Sequence, residues 1–215
     1  MATAHHPITR LVLIRHGQTV WNVEGRYQGQ ADPPLSAEGL TQATILASRL
    51  RRHHLDLLYT SPLARCRQTA ERLAVREGIP VHIEPRLMEI RLGDWEGRLY
   101  TEIARDYPDL FQRWQTDPWN AMPPGGETVA QVRERVYAAI DEMLARHQGR
   151  RVGVVTHRIP LILLGMRYLN LPPDSVQRLS LPNASWVTID ISDDGRIRGR
   201  SRSAAPPAGP QGLTV

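Results

Sequence analysis

Apolar positions in this chain fall into short runs and helical stripes that alternate. Leu11-Val12-Leu13-Ile14 is an unbroken apolar run, the pattern of a strand covered on both faces. Residues 36–52 place Leu40, Ala43, Ala47 and Leu50 on one face of a helix, with Ser36 as its candidate N-cap. LDLLYT at 55–60 predicts a second strand. Ser61-Pro62 then reads as an N-cap and a proline at the first helical position, opening a helix through Arg76. VHI at 81–83 predicts a short third strand. Residues 128–146 predict a long helix, with Thr128 and Gln131 as a capping box and a stripe of Val132, Val136, Ile140 and Met143. RVGVVT at 151–156 predicts a fourth strand, and WVTIDI at 186–191 a last one. Between them, residues 159–169 predict a helix that tolerates Pro160 in its first turn. Strands alternating with helices imply an α/β fold with a mostly parallel sheet.

The alternation breaks between residues 95 and 126. Trp95, Tyr100, Tyr107, Phe111, Trp114 and Trp119 crowd into a helical, proline-rich excursion there. An aromatic satellite core is the plainer account; a specificity cap over a site is the functional one. The remainder is expected to be one domain over residues 10–195. A loose lead over 1–9 precedes it, and a disordered Arg/Pro/Gly-rich tail over 196–215 follows.

Composition narrows the function classes. All 27 basic residues are arginine. Without lysine there is no Walker-A phosphate lysine and no lysine Schiff base. Cys66 stands alone, so no internal disulfide and no cysteine-rich zinc site can form. No apolar run approaches the roughly 20 residues of a membrane span. MATAHHPITR lacks the apolar stretch of a secretory signal, so a cytoplasmic protein with no membrane partner is expected. The formal net charge is +5, but Arg196, Arg198, Arg200 and Arg202 all lie in the tail, which argues against a nucleic-acid surface on the body.

Chemistry concentrates where the strands end. In open α/β sheets, ligands bind just beyond the carboxyl ends of the strands. Arg15-His16 follows the first strand, Arg65 opens the helix after the second, Glu89 follows the third, and His157 follows the fourth. Two arginine forks suit the oxygens of a phosphate. A histidine beside such cations is held neutral, because neighbouring positive charge disfavours imidazolium, and neutral imidazole is a nucleophile. Taken singly, each residue has a plain structural role; their joint placement points to anion chemistry.

LIRHGQTVWN, YQGQADPPLSAEGLTQA, SPLARCRQTAE, LMEIRLGDWEG, PGGET and VVTHR occur in this order over roughly residues 10–190. The set resembles the histidine phosphatase superfamily, which includes the cofactor-dependent phosphoglycerate mutases. The resemblance implies a three-layer α/β/α sandwich and a reaction needing no metal and no cofactor. It implies that His16 becomes phosphorylated, that Arg15, Arg65 and His157 form the phosphate pocket, and that Glu89 donates a proton. Asn22, Gln28 and Thr19 are implied on the substrate side. Many members follow the second histidine with glycine; this chain has Arg158. Mutases of the family carry a basic, tyrosine-containing run after the acid and a longer insertion; the compact IRLGDWEG resembles the phosphatase branch.

The expected activity is hydrolysis of phosphomonoesters, with a small phosphorylated metabolite as partner. A mutase is the alternative. A phospho-ligand or nucleic-acid binding module is disfavoured because every catalytic position is retained. A homodimer is compatible with the family.

Overall fold

The computed structural model describes residues 8–193 and 195–203. Six strands form one sheet: β1 (Ile8–Arg15), β2 (Leu57–Thr60), β3 (Val81–Ile83), β4 (Arg151–Thr156), β5 (Trp186–Ser192) and β6 (Ile197–Ser203). Their order across the sheet is β3-β2-β4-β1-β5-β6. The β3/β2, β2/β4 and β4/β1 pairings are parallel, and β5 and β6 add antiparallel at one side.

Strand alternation divides the core. Val12 and Ile14 of β1 join Leu58 and Val155 on one face, packed under α2 (Ala37–Leu50) and α3 (Ala64–Glu77). Leu11 and Leu13 join Val152, Val154 and Ile189 on the other, under α6 (Val129–Arg146) and α7 (Arg158–Leu169). Both faces are thus covered, which is why residues 11–14 are uniformly apolar. The result is a three-layer α/β/α sandwich.

Several expectations are corrected. The lead does not extend to residue 9, because Ile8 and Thr9 already pair with Ser192 and Ile191. The tail is not disordered from residue 196: residues 197–203 form β6 along β5, and residues 204–215 lie outside the described part. The edge of β5 offers a row of unpaired backbone groups, and a polar segment without apolar periodicity can still satisfy them. Ser61-Pro62 does not open α3. The helix starts at Ala64 with Leu63 at the N-cap, and Asp32 Oδ1, not Ser61, accepts from the Ala64 N–H at 2.5 Å. Short helices α1 (Val20–Glu24) and α8 (Ser175–Arg178) escape the periodicity reading because neither is long enough to display a stripe. The aromatic excursion holds α4 (Tyr100–Asp106) and α5 (Pro108–Thr116) around a fully buried Trp95. Trp95 packs edge-on against Trp114 at 6.0 Å.

Candidate active site

Strand register builds the centre. Arg15 pairs with Thr156 across the parallel β1/β4 ladder, so the next residues, His16 and His157, leave the sheet side by side. Their ring centroids are 5.2 Å apart. The His16 N–H donates to the Thr156 carbonyl at 3.1 Å, and Ala184 and Asn183 both donate to the His16 carbonyl. Gly17 lets the chain run against α2: a Cβ at Gly17 would meet the Gly39 carbonyl oxygen at 2.6 Å, and one at Gly39 would meet the Gln18 oxygen at 1.9 Å.

The His16 tautomer follows from its partner. Nδ1 lies 2.7 Å from the Gly17 carbonyl oxygen, which only accepts, so Nδ1 carries the proton and Nε2 keeps its lone pair. Burial, then Arg65 and Arg15, hold the ring well below the usual imidazole range. His16 is therefore a neutral, Nδ1-protonated base with a bare Nε2.

Arg65 is 1% exposed and fixed by three acceptors. Its Nη1 donates to Ala31 O at 2.8 Å, Nη2 to Gly29 O at 2.7 Å and Nε to His157 Nδ1 at 3.2 Å. An arginine Nε–H can only donate, so His157 Nδ1 is bare, and its Nε2–H donates to Ser61 Oγ at 2.8 Å. His157 is buried and neutral, chiefly through desolvation. Both its ring nitrogens are used within the wall, and it does not line the cavity; it braces Arg65 from behind. Arg15 does line the cavity. Its Nη1 donates to Leu181 O, while its buried Nε has no partner among the described residues. Desolvation, with Arg158 and Arg65 nearby, lowers its guanidinium to about 10.

Amides and a carboxylate also line the cavity. Asn22 Oδ1 accepts from the Thr19 N–H at 3.0 Å, and Gln28 Oε1 accepts from Thr19 Oγ1 at 3.0 Å. Both NH₂ groups are thereby left for the cavity, which Asn22 and Gln28 line. Thr19 itself is fully buried, so its expected substrate contact is corrected: it orients the two amides instead. Glu89 lines the cavity with Oε1 accepting from Ile90 N at 2.9 Å and Oε2 from Ile159 N at 3.4 Å.

The loop bearing Glu89 is splinted by a residue the sequence reading missed. Arg135, on α6, donates to the carbonyls of Arg86, Met88 and Glu89 at 2.8, 2.6 and 2.9 Å. Glu127 of the PGGET segment is clasped to Arg135 at 2.9 Å and does not line the cavity. An arginine next to Val136 in an otherwise apolar helical stripe was the available signal. Arg158 also lines the cavity. Tyr100, Trp114, Gln115 and Pro118 of the aromatic excursion form its outer wall, whereas Trp119 is turned away, donating to Pro173 O at 3.0 Å. Among the described residues no group of three or more His, Cys, Asp or Glu is placed to hold a metal, and no helix is long and apolar enough to cross a membrane.

Two histidines beyond adjacent parallel strands, with Arg15 and Arg65 lining the same cavity as His16, are an arrangement that suits a phosphoryl group. Residues 11–200 match the histidine phosphatase superfamily (branch 1), and the chain belongs to that family. It is 37% identical over 186 residues to phosphoserine phosphatase 1 of Hydrogenobacter thermophilus, spanning 86% of this chain and 88% of that protein. It is 35% identical to adenosylcobalamin/alpha-ribazole phosphatase of Salmonella typhimurium, over 86% of this chain and 91% of that one. It is 34% identical to a probable phosphoglycerate mutase, GpmB, of Yersinia enterocolitica, over 86% of each. A mycobacterial glucosyl-3-phosphoglycerate phosphatase complexed with VO3 superposes with a TM-score of 0.80 at 35% identity, covering 91% of this chain and 97% of that one. The chain is a phosphatase of this superfamily.

Proposed function

We propose that the chain hydrolyses small phosphomonoesters through a phosphohistidine on His16, without a metal ion. The observation that carries this reading is the His16 ring itself: neutral, with Nδ1 spent on Gly17 and Nε2 bare, beside Arg15 and Arg65. The names of relatives that are phosphatases support it.

In the first step His16 Nε2 attacks phosphorus in line as the bond to the ester oxygen breaks. Arg15 and Arg65 hold the non-bridging oxygens, with the unpartnered Arg15 Nε–H as one ready donor. Asn22 and Gln28 contribute their free NH₂ groups. Glu89, in its protonated form, gives its proton to the leaving alkoxide. The alcohol departs, and Glu89, now a carboxylate, takes a proton from the incoming water. That water attacks phosphorus, the P–N bond breaks, and inorganic phosphate and free His16 are regenerated. His157 and Thr19 act through Arg65 and through Asn22 and Gln28 respectively.

Rapid quench after mixing with a ³²P-labelled ester tests this. The wild-type protein should carry an acid-labile, alkali-stable phosphoryl group, and His16→Ala should carry none and turn over nothing. Stable labelling of the His16→Ala protein would overturn the assignment. The likeness to GpmB makes mutase activity the competing reading; isomerisation of 3-phosphoglycerate to 2-phosphoglycerate, primed by a bisphosphate, separates the two.

A further inference from the structure

Glu96 follows the fully buried Trp95 in the LGDWEG run; it is half-buried and does not line the cavity. Its carboxylate accepts from three backbone N–H groups. Oε1 takes those of Gln30 at 2.9 Å and Leu92 at 2.8 Å, and Oε2 takes that of Ala31 at 2.9 Å. Three donors converge there and none of them can accept, so the seat suits a carboxylate; a carboxamide would set its own NH₂ against an N–H. Gly29 makes the room, because at its φ of +51° a Cβ would run into the Glu96 carboxylate.

The far side of the same loop holds Arg65. The Gln30 N–H and the Gly29 carbonyl belong to one planar peptide and point opposite ways. Glu96 grips its N–H, and Arg65 Nη2 donates to its carbonyl at 2.7 Å. One residue on, Ala31 gives its N–H to Glu96 and its carbonyl to Arg65 Nη1 at 2.8 Å. The three bonds of Arg65 thus go to two carbonyls and the His157 imidazole, none of them charged. A carboxylate placed directly on the guanidinium would fix it and also offset its charge. A carboxylate one peptide away fixes it through polarised hydrogen bonds and leaves the charge for an incoming anion.

Resting on the phosphatase reading above, we infer that Glu96 is a positioning residue for phosphoryl transfer: by holding residues 29–31 it sets the two carbonyls that aim Arg65 at the phosphoryl oxygens.

The test is a double-mutant cycle on kcat/KM for p-nitrophenyl phosphate. That parameter covers the steps through phosphorylation of His16, and this leaving group does not draw on the Glu89 proton. Glu96→Gln keeps the size but loses the charge and one acceptor. In the wild-type background it should lower kcat/KM by about 10–100-fold, the scale of a displacement near 1 Å in a substrate-positioning group. In an Arg65→Ala background it should cost less than about threefold, because the group it positions is gone. A merely structural role would give equal falls in both backgrounds. Arg65→Lys, which lacks the fork that spans both carbonyls, closes the cycle if Arg65→Ala does not fold. Glu96→Asp replaces a glutamine variant that does not fold and should show the same dependence on Arg65. A fall below about threefold in the wild-type background, or equal falls in both, overturns the inference and leaves the phosphatase reading intact. Failure of the wild type to hydrolyse p-nitrophenyl phosphate, with no label on His16, overturns both.

Discussion

Replacing Glu89 by glutamine separates proton delivery from positioning. Glu89 is held by two backbone donors, Ile90 N at 2.9 Å and Ile159 N at 3.4 Å. Glutamine offers one acceptor oxygen where the carboxylate offers two. The shorter bond is retained and the longer one is lost, a net cost of about 1 kcal/mol at most. That is too small to displace a loop held by three Arg135 bonds. What glutamine cannot do is give up a proton to the leaving oxygen. General acid catalysis contributes about 10²–10⁴-fold, or roughly 2.7–5.5 kcal/mol of barrier. An alkoxide leaving group needs that proton, whereas nitrophenolate departs without it. Single-turnover phosphorylation of His16 should therefore slow by about 10²–10⁴-fold for an alkyl phosphate and far less for p-nitrophenyl phosphate. Single turnover is required because Glu89 also serves the hydrolysis step, which all substrates share. Substrate affinity should be kept, since a glutamine amide is neutral like the protonated acid that the first step uses. Equal slowing of both esters would refute the role. Glu127 is no substitute in that case, because it is bound to Arg135 and lies outside the cavity.

Four further outcomes are expected. EDTA should leave hydrolysis of p-nitrophenyl phosphate intact; loss on chelation with recovery on adding Mg²⁺ or Zn²⁺ would sink the metal-free mechanism. His16 and His157 are both depressed in the folded state, so the unfolded chain binds more protons below its ordinary histidine value near 6.5. Their share of stability is present above that pH and is lost as pH falls, so Tm by calorimetry should drop between pH 7.5 and 5.5, and His157→Asn should flatten that slope. Trp114→Ala should cost about 3–5 kcal/mol of stability and shift relative kcat/KM among substrates, because Trp114 both packs on Trp95 and lines the cavity. Trp119→Ala should change stability alone; a shift in relative kcat/KM there would contradict its outward placement.

The sequence alone determined the elements whose physics is local. Four consecutive apolar residues at 11–14, short and partly β-branched, read as a strand with both faces covered, and the Thr128/Gln131 capping box starts α6 where the pattern placed it. The residue types that gather at the strand ends were legible for the same reason: a strand boundary is a local event, and Arg15-His16 abuts one. Tertiary structure decided everything that depends on register and on distant partners. The pairing of Arg15 with Thr156 sets His16 beside His157, and no local pattern encodes which strand lies next to which. The Gly17 carbonyl chose the His16 tautomer, and Arg65 chose that of His157. Thr19 proved to be an anchor for two amides because a side chain's partners, not its type, settle whether it faces a cavity. Asp32, far along the chain, displaced Ser61 as the cap of α3, and β5 recruited residues 197–203, which carry no apolar periodicity. Arg158 could be read only as a departure from a pattern; its carbonyl anchors exist only once α7 and α8 have packed.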